Sequence, residues 1–239
     1  MIFATFKKIF TAAALASLVA GVLLTLIQQL QVIPLILEAE VYEQAKVANG
    51  DVYAEYGQTQ NHPSTHKHSD EREWQPQEGF SRNLFTAFAN IVVALGFSLL
   101  LGAGAFLRDT KLDWRSGLLW GLAGYVVFFV APSLGMPPEL PGSHGPNLEH
   151  RQLWWMITVV CTGFGLAFVF FNTQNLAKIF GIVLIVTPHI VGAPQTGPHI
   201  GTAPAESIQA FIIATSIANA VFWLSMGGFY GFFYKKLAS

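Results

Sequence analysis

Six long runs of this chain contain no Asp, Glu, Lys or Arg: Ile9–Leu37, Leu84–Leu107, Ser116–Pro138, Gln152–Ala177, Ile179–Ala205 and Ser207–Tyr234. A helix needs about 20 mostly apolar residues to cross a bilayer. Each run has room for one. Inside hydrocarbon the backbone must satisfy its own N–H and C=O groups, which a helix does within one segment. The expected fold is therefore all-α: a polytopic integral membrane protein with six transmembrane helices, forming a single membrane domain over residues 1–239. Charged residues make up only 11% of the chain and hydrophobic residues 52%, which leaves little for a separate soluble domain.

The fifth run contains Pro188 and Pro194, and its compact apolar part is short. Five true spans with a kinked or re-entrant fifth segment is the alternative. At the N-terminus, Lys7 and Lys8 precede an Ala/Leu-rich stretch, as in a signal peptide. Signal-peptide apolar cores run about 7–15 residues, and this one continues to Leu37. An uncleaved first helix is the expectation.

Short loops rich in Lys and Arg stay in the cytoplasm. Lys7 and Lys8, then Arg108, Lys111 and Arg115, then Lys178, then Lys235 and Lys236 all fall on one face when the spans are threaded in order. This predicts a multi-pass membrane protein with both termini cytoplasmic. The connection 38–83 then faces out as a His/Glu-rich loop. Its own basic residues oppose this weakly, because long loops translocate largely regardless of charge. The same threading puts His62, His66, His68, His144, His150 and His199 in outer loops, with His189 inside the fifth span near that face.

Four constellations could carry chemistry. His62, His66 and His68, followed by Asp70 and Glu71, combine imidazole and carboxylate in a Pro/Ser-containing loop. Imidazole suits transition metals, so this reads as a loose capture site, although a solvated polar loop has the same composition. Glu38, Glu40 and Glu43 follow Gln28, Gln29 and Gln31 in a segment, 38–56, that reads as helical. Glu40 and Glu43 share a helix face. They suit an electronegative vestibule or simple interfacial solvation. Thr187-Pro188-His189, with His199 and Glu206 beyond, places an ionisable group within a span, which marks a functional candidate. A proline there could free carbonyls for a cation. A core histidine hydrogen-bonded across helices is the plainer alternative. Glu139, in a stiff Pro-rich loop, is a further candidate ligand.

Other classes lack support. The sole cysteine, Cys161, sits in an apolar run and cannot form an intrachain disulfide. There is no GxxxxGK[ST] loop, so no nucleotide site of that kind is expected, and no HExxH or GxSxG motif, so an enzyme is not expected. No basic patch with interleaved aromatics points to nucleic acid. Trp74, Trp114, Trp154 and Trp155 lie near expected interfaces and read as aromatic anchors in lipid. Gly117–Gly121 and Gly227–Gly231 are small-xxx-small pairs suited to close helix packing. Asn90 and Asn219 read as buried amides bonded between helices.

The segments QQLQVIPLILEAEVYE (28–43), EGFSRNLFTAFAN (78–90), GLLWGLAGYVVFFVAPSLGMPPELPG (117–142), RQLWW (151–155) and PHIVGAPQ (188–195) resemble the CbtA family of bacterial cobalt transporter subunits. The resemblance covers nearly the whole chain. It implies a membrane subunit of five or six spans, linked to cobalamin synthesis and paired with a small single-span, His-bearing CbtB-like subunit. Glu38, Glu40, Glu43, Glu139 and His189 fall in these stretches, and the resemblance extends to Glu206 beyond the last of them; His144 and His150 match no motif of the family. The expected function is import of a divalent transition metal as substrate, Co2+ first and Ni2+ as the near alternative. Ions would be captured by the outer His/Glu loop and passed to a site formed by the first and fifth spans. A non-conducting metal-binding or scaffold subunit is the rival of a different class. A homo-oligomer stays open.

Overall fold

The structure, a computed structural model, describes residues 2–48, 79–108, 112–143, 145–195 and 203–237. Every regular element among them is a helix. In chain order these are α1 (Ile2–Ile27), α2 (Ile33–Ala48), α3 (Phe80–Leu107), α4 (Trp114–Tyr125), α5 (Ala131–Gly135), α6 (Leu148–Phe171), α7 (Asn175–Val191) and α8 (Ala205–Lys236). Two π-helical turns, Gln28–Val32 and Val126–Val130, join α1 to α2 and α4 to α5 without a break.

Both π turns have the same local cause. Pro34 and Pro132 each follow by two residues, and each lacks the N–H that would bond the carbonyl four residues back. That carbonyl, of Leu30 or Phe128, lies inside the widened turn. There the ladder shifts to five-residue bonds, from Ile33 N–H to the Gln28 carbonyl and from Ala131 N–H to the Val126 carbonyl. The first rod therefore runs on through the proline to Ala48. The helical reading of 38–56 holds as far as Ala48; the rest of that loop lies outside the described residues.

Five stretches are long and apolar enough to cross a membrane: Thr5–Ala45, Phe80–Leu107, Trp114–Gly135, Leu148–Phe171 and Ala205–Lys236. The chain is thus a multi-pass membrane protein. The helix in the fifth apolar run, α7, has 17 residues. At ~1.5 Å per residue that is about 26 Å, short of a typical hydrocarbon core. It pairs with α6 through a three-residue turn, and Gly165 and Gly181 bring the two backbones together.

The helices alternate in direction, so charge sorts to two ends. Lys8 lies over the Tyr234 ring, and Arg108 over Phe171, at the basic end. Glu38 meets Ser207, and Glu40 meets Arg82, at the acidic end. The start of α1 and the end of α8 both lie at the basic end. The centre is α8, packed along α4 on one side and α1 on another; α1 also packs along α3. The glycine pairs at 117/121 and 227/231 form a single crossing between α4 and α8. A Cβ on Gly117 or Gly227 would enter the other's carbonyl. α1 packs with its alanines: Ala12, Ala13, Ala16 and Ala20 are fully buried.

Candidate functional site

The acidic end gathers most of the expected ligands that are described, but not into one centre. Glu38, at the α2 face, accepts a hydrogen bond from the Ser207 hydroxyl at 3.3 Å, next to Glu206 in the first turn of α8. Acidic groups are favourable there, beside the positive end of the helix dipole. Glu40 faces Arg82 at 3.6 Å, and Glu139 pairs with Arg151 at 3.1 Å. Those two carboxylates are partly neutralised by guanidinium groups. Glu43 is exposed, one turn beyond Glu40. His62, His66, His68 and His199 lie outside the described residues, as does His144. Among the described residues no three His, Cys, Asp or Glu side chains converge to hold a metal ion.

His189 is half-buried in the last turn of α7, its ring edge-on to Trp154 at 6.0 Å between centroids. The Trp154 indole N–H donates to the Pro188 carbonyl at 3.3 Å, and the Gly192 N–H donates to the same oxygen at 3.0 Å. The Pro188 carbonyl is therefore doubly used rather than freed. Trp154 is buried between α6, α7 and Gly135, which corrects the reading of it as an anchor in lipid. Trp114 is exposed, as an anchor would be. A second correction concerns the shared site of the first and fifth spans. α7 packs on α6 and has no extensive contact with α1. Apolar runs identify helices but carry no information on which helices are neighbours.

A polar cluster links α1 to α3. The Asn90 amide donates to Thr25 Oγ1 at 3.0 Å and to Gln28 Oε1 at 2.7 Å. One layer toward the acidic end, the Gln29 amide donates to Asn83. The interhelical role expected of Asn90 is what the structure has. Asn219 differs: its amide bonds the Thr215 carbonyl of its own helix.

Sequence reasoning missed the buried hydroxyls. Ser98 and Tyr230 are fully buried, and Ser98 Oγ, Thr162 Oγ1, Thr215 Oγ1 and Tyr230 Oη have no hydrogen-bond partner among the described residues. An unsatisfied buried hydroxyl costs about 1–3 kcal/mol. Tyr230 Oη lies against Gly102 of α3, close to Ile9 of α1. Ser98 is one turn from Gly102 on the same face. A glycine opposite a tyrosine between two apolar runs carries no sequence signal without knowing which helices pair.

With this geometry in place, comparison with known families is informative. The model of a family described as "Probable cobalt transporter subunit (CbtA)" matches residues 6–235. No curated protein and no solved structure matches the chain.

Proposed function

The chain belongs to the CbtA family, and on that premise we propose that it is the membrane subunit through which a divalent transition metal, Co2+ first, enters a bacterial cell. The family is one of transporter subunits, not enzymes. The observation that carries the reading is this match over nearly the whole chain, on a helix bundle with charge sorted to its two ends. In the proposal the acidic end faces outward and both termini are cytoplasmic. His62, His66 and His68 capture ions loosely. Glu38, Glu40, Glu43 and Glu206 raise the local cation concentration, with Glu139, His199 and His189 as further ligands at the same end. The word subunit implies a partner; in the proposal that partner is a small single-span, His-bearing protein.

The driving force needs no nucleotide. A dication moving inward gains about 4–5 kcal/mol per 100 mV of membrane potential. That corresponds to roughly a thousandfold accumulation at equilibrium. Affinity order does not separate Co2+ from Ni2+, so geometry at the outer ligands must.

A second reading has one observation in its favour. Because no three ligating side chains converge among the described residues, the chain could instead scaffold a conducting partner. Uptake of radiolabelled cobalt into sealed vesicles separates the two. Vesicles holding this chain should accumulate cobalt above empty vesicles, and more so with the small partner present. Accumulation that follows the partner alone would establish the scaffold role. Equal uptake of nickel would remove the assignment to cobalt.

A further inference from the structure

We propose that the cation passes along the seam where α1, α3 and α8 meet, entering at the Thr25–Gln28–Asn90 cluster and using the Ser98 and Tyr230 hydroxyls as ligands along the way. This rests on the transport reading above. It assigns the route to a different part of the bundle from His189.

Three observations converge on this seam. First, its polar groups are placed where packing alone gives no reason for them. Tyr230 Oη and Ser98 Oγ are fully buried, without a hydrogen-bond partner among the described residues; Tyr230 Oη lies against Gly102 of α3, and Ser98 is one turn from Gly102 on α3. Phe and Ala would fill the same volumes without the desolvation penalty. Second, α1 presents a run of small side chains there, between Ile9 at one end and Leu24 at the other. Ala12, Ala13, Ala16 and Ala20 are fully buried, and Ser17 nearly so. Along that run the α1 face can separate from its neighbours with little loss of interlocking. Third, Gln28, one member of the cluster at the mouth, is the first residue of the π turn Gln28–Val32. Widened turns of this kind occur often at functional sites.

The chemistry suits a passing ion rather than a stored one. Ile9–Leu37, Leu84–Leu107 and Ser207–Tyr234 contain no carboxylate, so the seam offers neutral amide and hydroxyl oxygens. Neutral oxygens replace part of a hydration shell yet hold the ion weakly enough to release it. The seam is closed in this structure, and at the basic end Lys8 lies over Tyr234, 4.0 Å from the ring centroid. An ammonium on a flexible stem at that point would set the exit barrier for a dication.

The test compares transport with stability. Full-length Ser98→Ala and Tyr230→Phe variants are reconstituted in liposomes, and uptake of radiolabelled cobalt is measured beside Tm. Removing an unpartnered hydroxyl should leave Tm unchanged or raise it. If the hydroxyls line the route, uptake should nevertheless fall about tenfold, a barrier change of about 1.4 kcal/mol. Should either variant fold poorly, Ser98→Cys in a Cys161→Ala background gives a separate reading: Cd2+ or a small methanethiosulfonate should block its uptake and spare the Cys161→Ala parent. Uptake by Ser98→Ala and Tyr230→Phe equal to the parent, with no block at Ser98→Cys, overturns the seam and leaves transport standing. No cobalt uptake by the unaltered chain, with or without the small partner, overturns the transport reading and the seam with it.

Discussion

The α1–α3–α8 seam and the α6–α7 hairpin are built by the same device and serve opposite ends. In both, small residues let antiparallel helices approach closely: alanines on α1, and Gly165 against Gly181 in the hairpin. The seam then sets the Ser98 and Tyr230 hydroxyls among buried apolar side chains such as Leu101 and Met226, with the Asn90 amide toward its acidic end. The hairpin turns a wide apolar surface outward, with Ile190 and Val191 about four-fifths exposed, as suits contact with lipid. At the acidic end it carries Glu149, His150 and Arg151 in the first turn of α6 and His189 in the last turn of α7, the last fixed beside Trp154. Ionisable residues are the usual flag for function inside a membrane. Here that flag points to the hairpin, while unpaired neutral hydroxyls point to the seam.

The largest effect should come from the crossing that holds the seam to the rest of the bundle. A Cβ on Gly227 would enter the Gly117 carbonyl and the Gly121 backbone, neither of which can rotate away. Gly227→Leu is expected to cost about 3 kcal/mol or more and to abolish a cooperative thermal transition in detergent. Gly96→Leu is the control, since a Cβ there meets nothing within 4 Å. If both variants melt like the parent, the α4–α8 contact is not what orders the bundle.

Next comes the direct contest between the two regions. Asn90→Leu removes two interhelical hydrogen bonds, worth about 0.6 kcal/mol each if they behave like the average in membranes. On the seam hypothesis uptake falls about tenfold at low and saturating cobalt alike, because the route itself is altered. His189→Gln keeps polarity and hydrogen bonding but is a poor metal ligand. It should weaken uptake mainly at low cobalt if His189 is an outer ligand. Loss at saturating cobalt in His189→Gln, with Asn90→Leu unaffected, would transfer the route to the hairpin. A smaller effect is expected from changing His62, His66 and His68 together to Ala. Flexible capture should matter at low metal and be spared at high metal, and complete loss at saturation would make that loop part of the route.

Much of the fold was legible because hydrophobic length and basic clusters are one-dimensional signals. The alternation of helices follows from them, and so does the shortness of the fifth apolar segment, with Pro188 inside it. The glycine pairs at 117/121 and 227/231 were recognisable as packing motifs. That each pair serves the other depends on helix adjacency, which no single run encodes. The same gap explains the site. Glu38 could be named from its run, but its contact with Ser207 joins residues 169 positions apart. The π turns were readable in principle, since Pro34 and Pro132 each fall inside a long charge-free run. Tyr230 looked like one more aromatic in an apolar helix until Gly102 was placed opposite it.

The smallest expected effect tests the basic end, where both regions are anchored through α4. Asp113 caps α4: its carboxylate accepts from the backbone N–H groups of Arg115 at 3.0 Å and Ser116 at 2.9 Å. Its own backbone carbonyl also packs against Gly231 of α8. The Ser116 N–H holds the Asp113 carboxyl below its ordinary value of 3.8, helped by the Ser116 hydroxyl, the Arg115 N–H and the charge of Lys235. A carboxylate with a depressed folded pKa stabilises the fold fully above its unfolded pKa. That contribution disappears as pH falls through the lower, folded value. Its position at the surface end of α4, where solvent screens charge, keeps it small. Stability of the parent, followed by thermal unfolding in detergent, should therefore be flat above about pH 5 and decline below pH 4. Asp113→Asn retains the capping geometry without the charge, so it should lose part of that acid-side slope while leaving cobalt uptake at neutral pH unchanged. An acid limb identical in parent and variant would mean that other carboxylates, such as those at the opposite end, set the pH dependence. A fall in neutral-pH uptake would show instead that the α4 cap, far from both candidate routes, controls how the bundle opens.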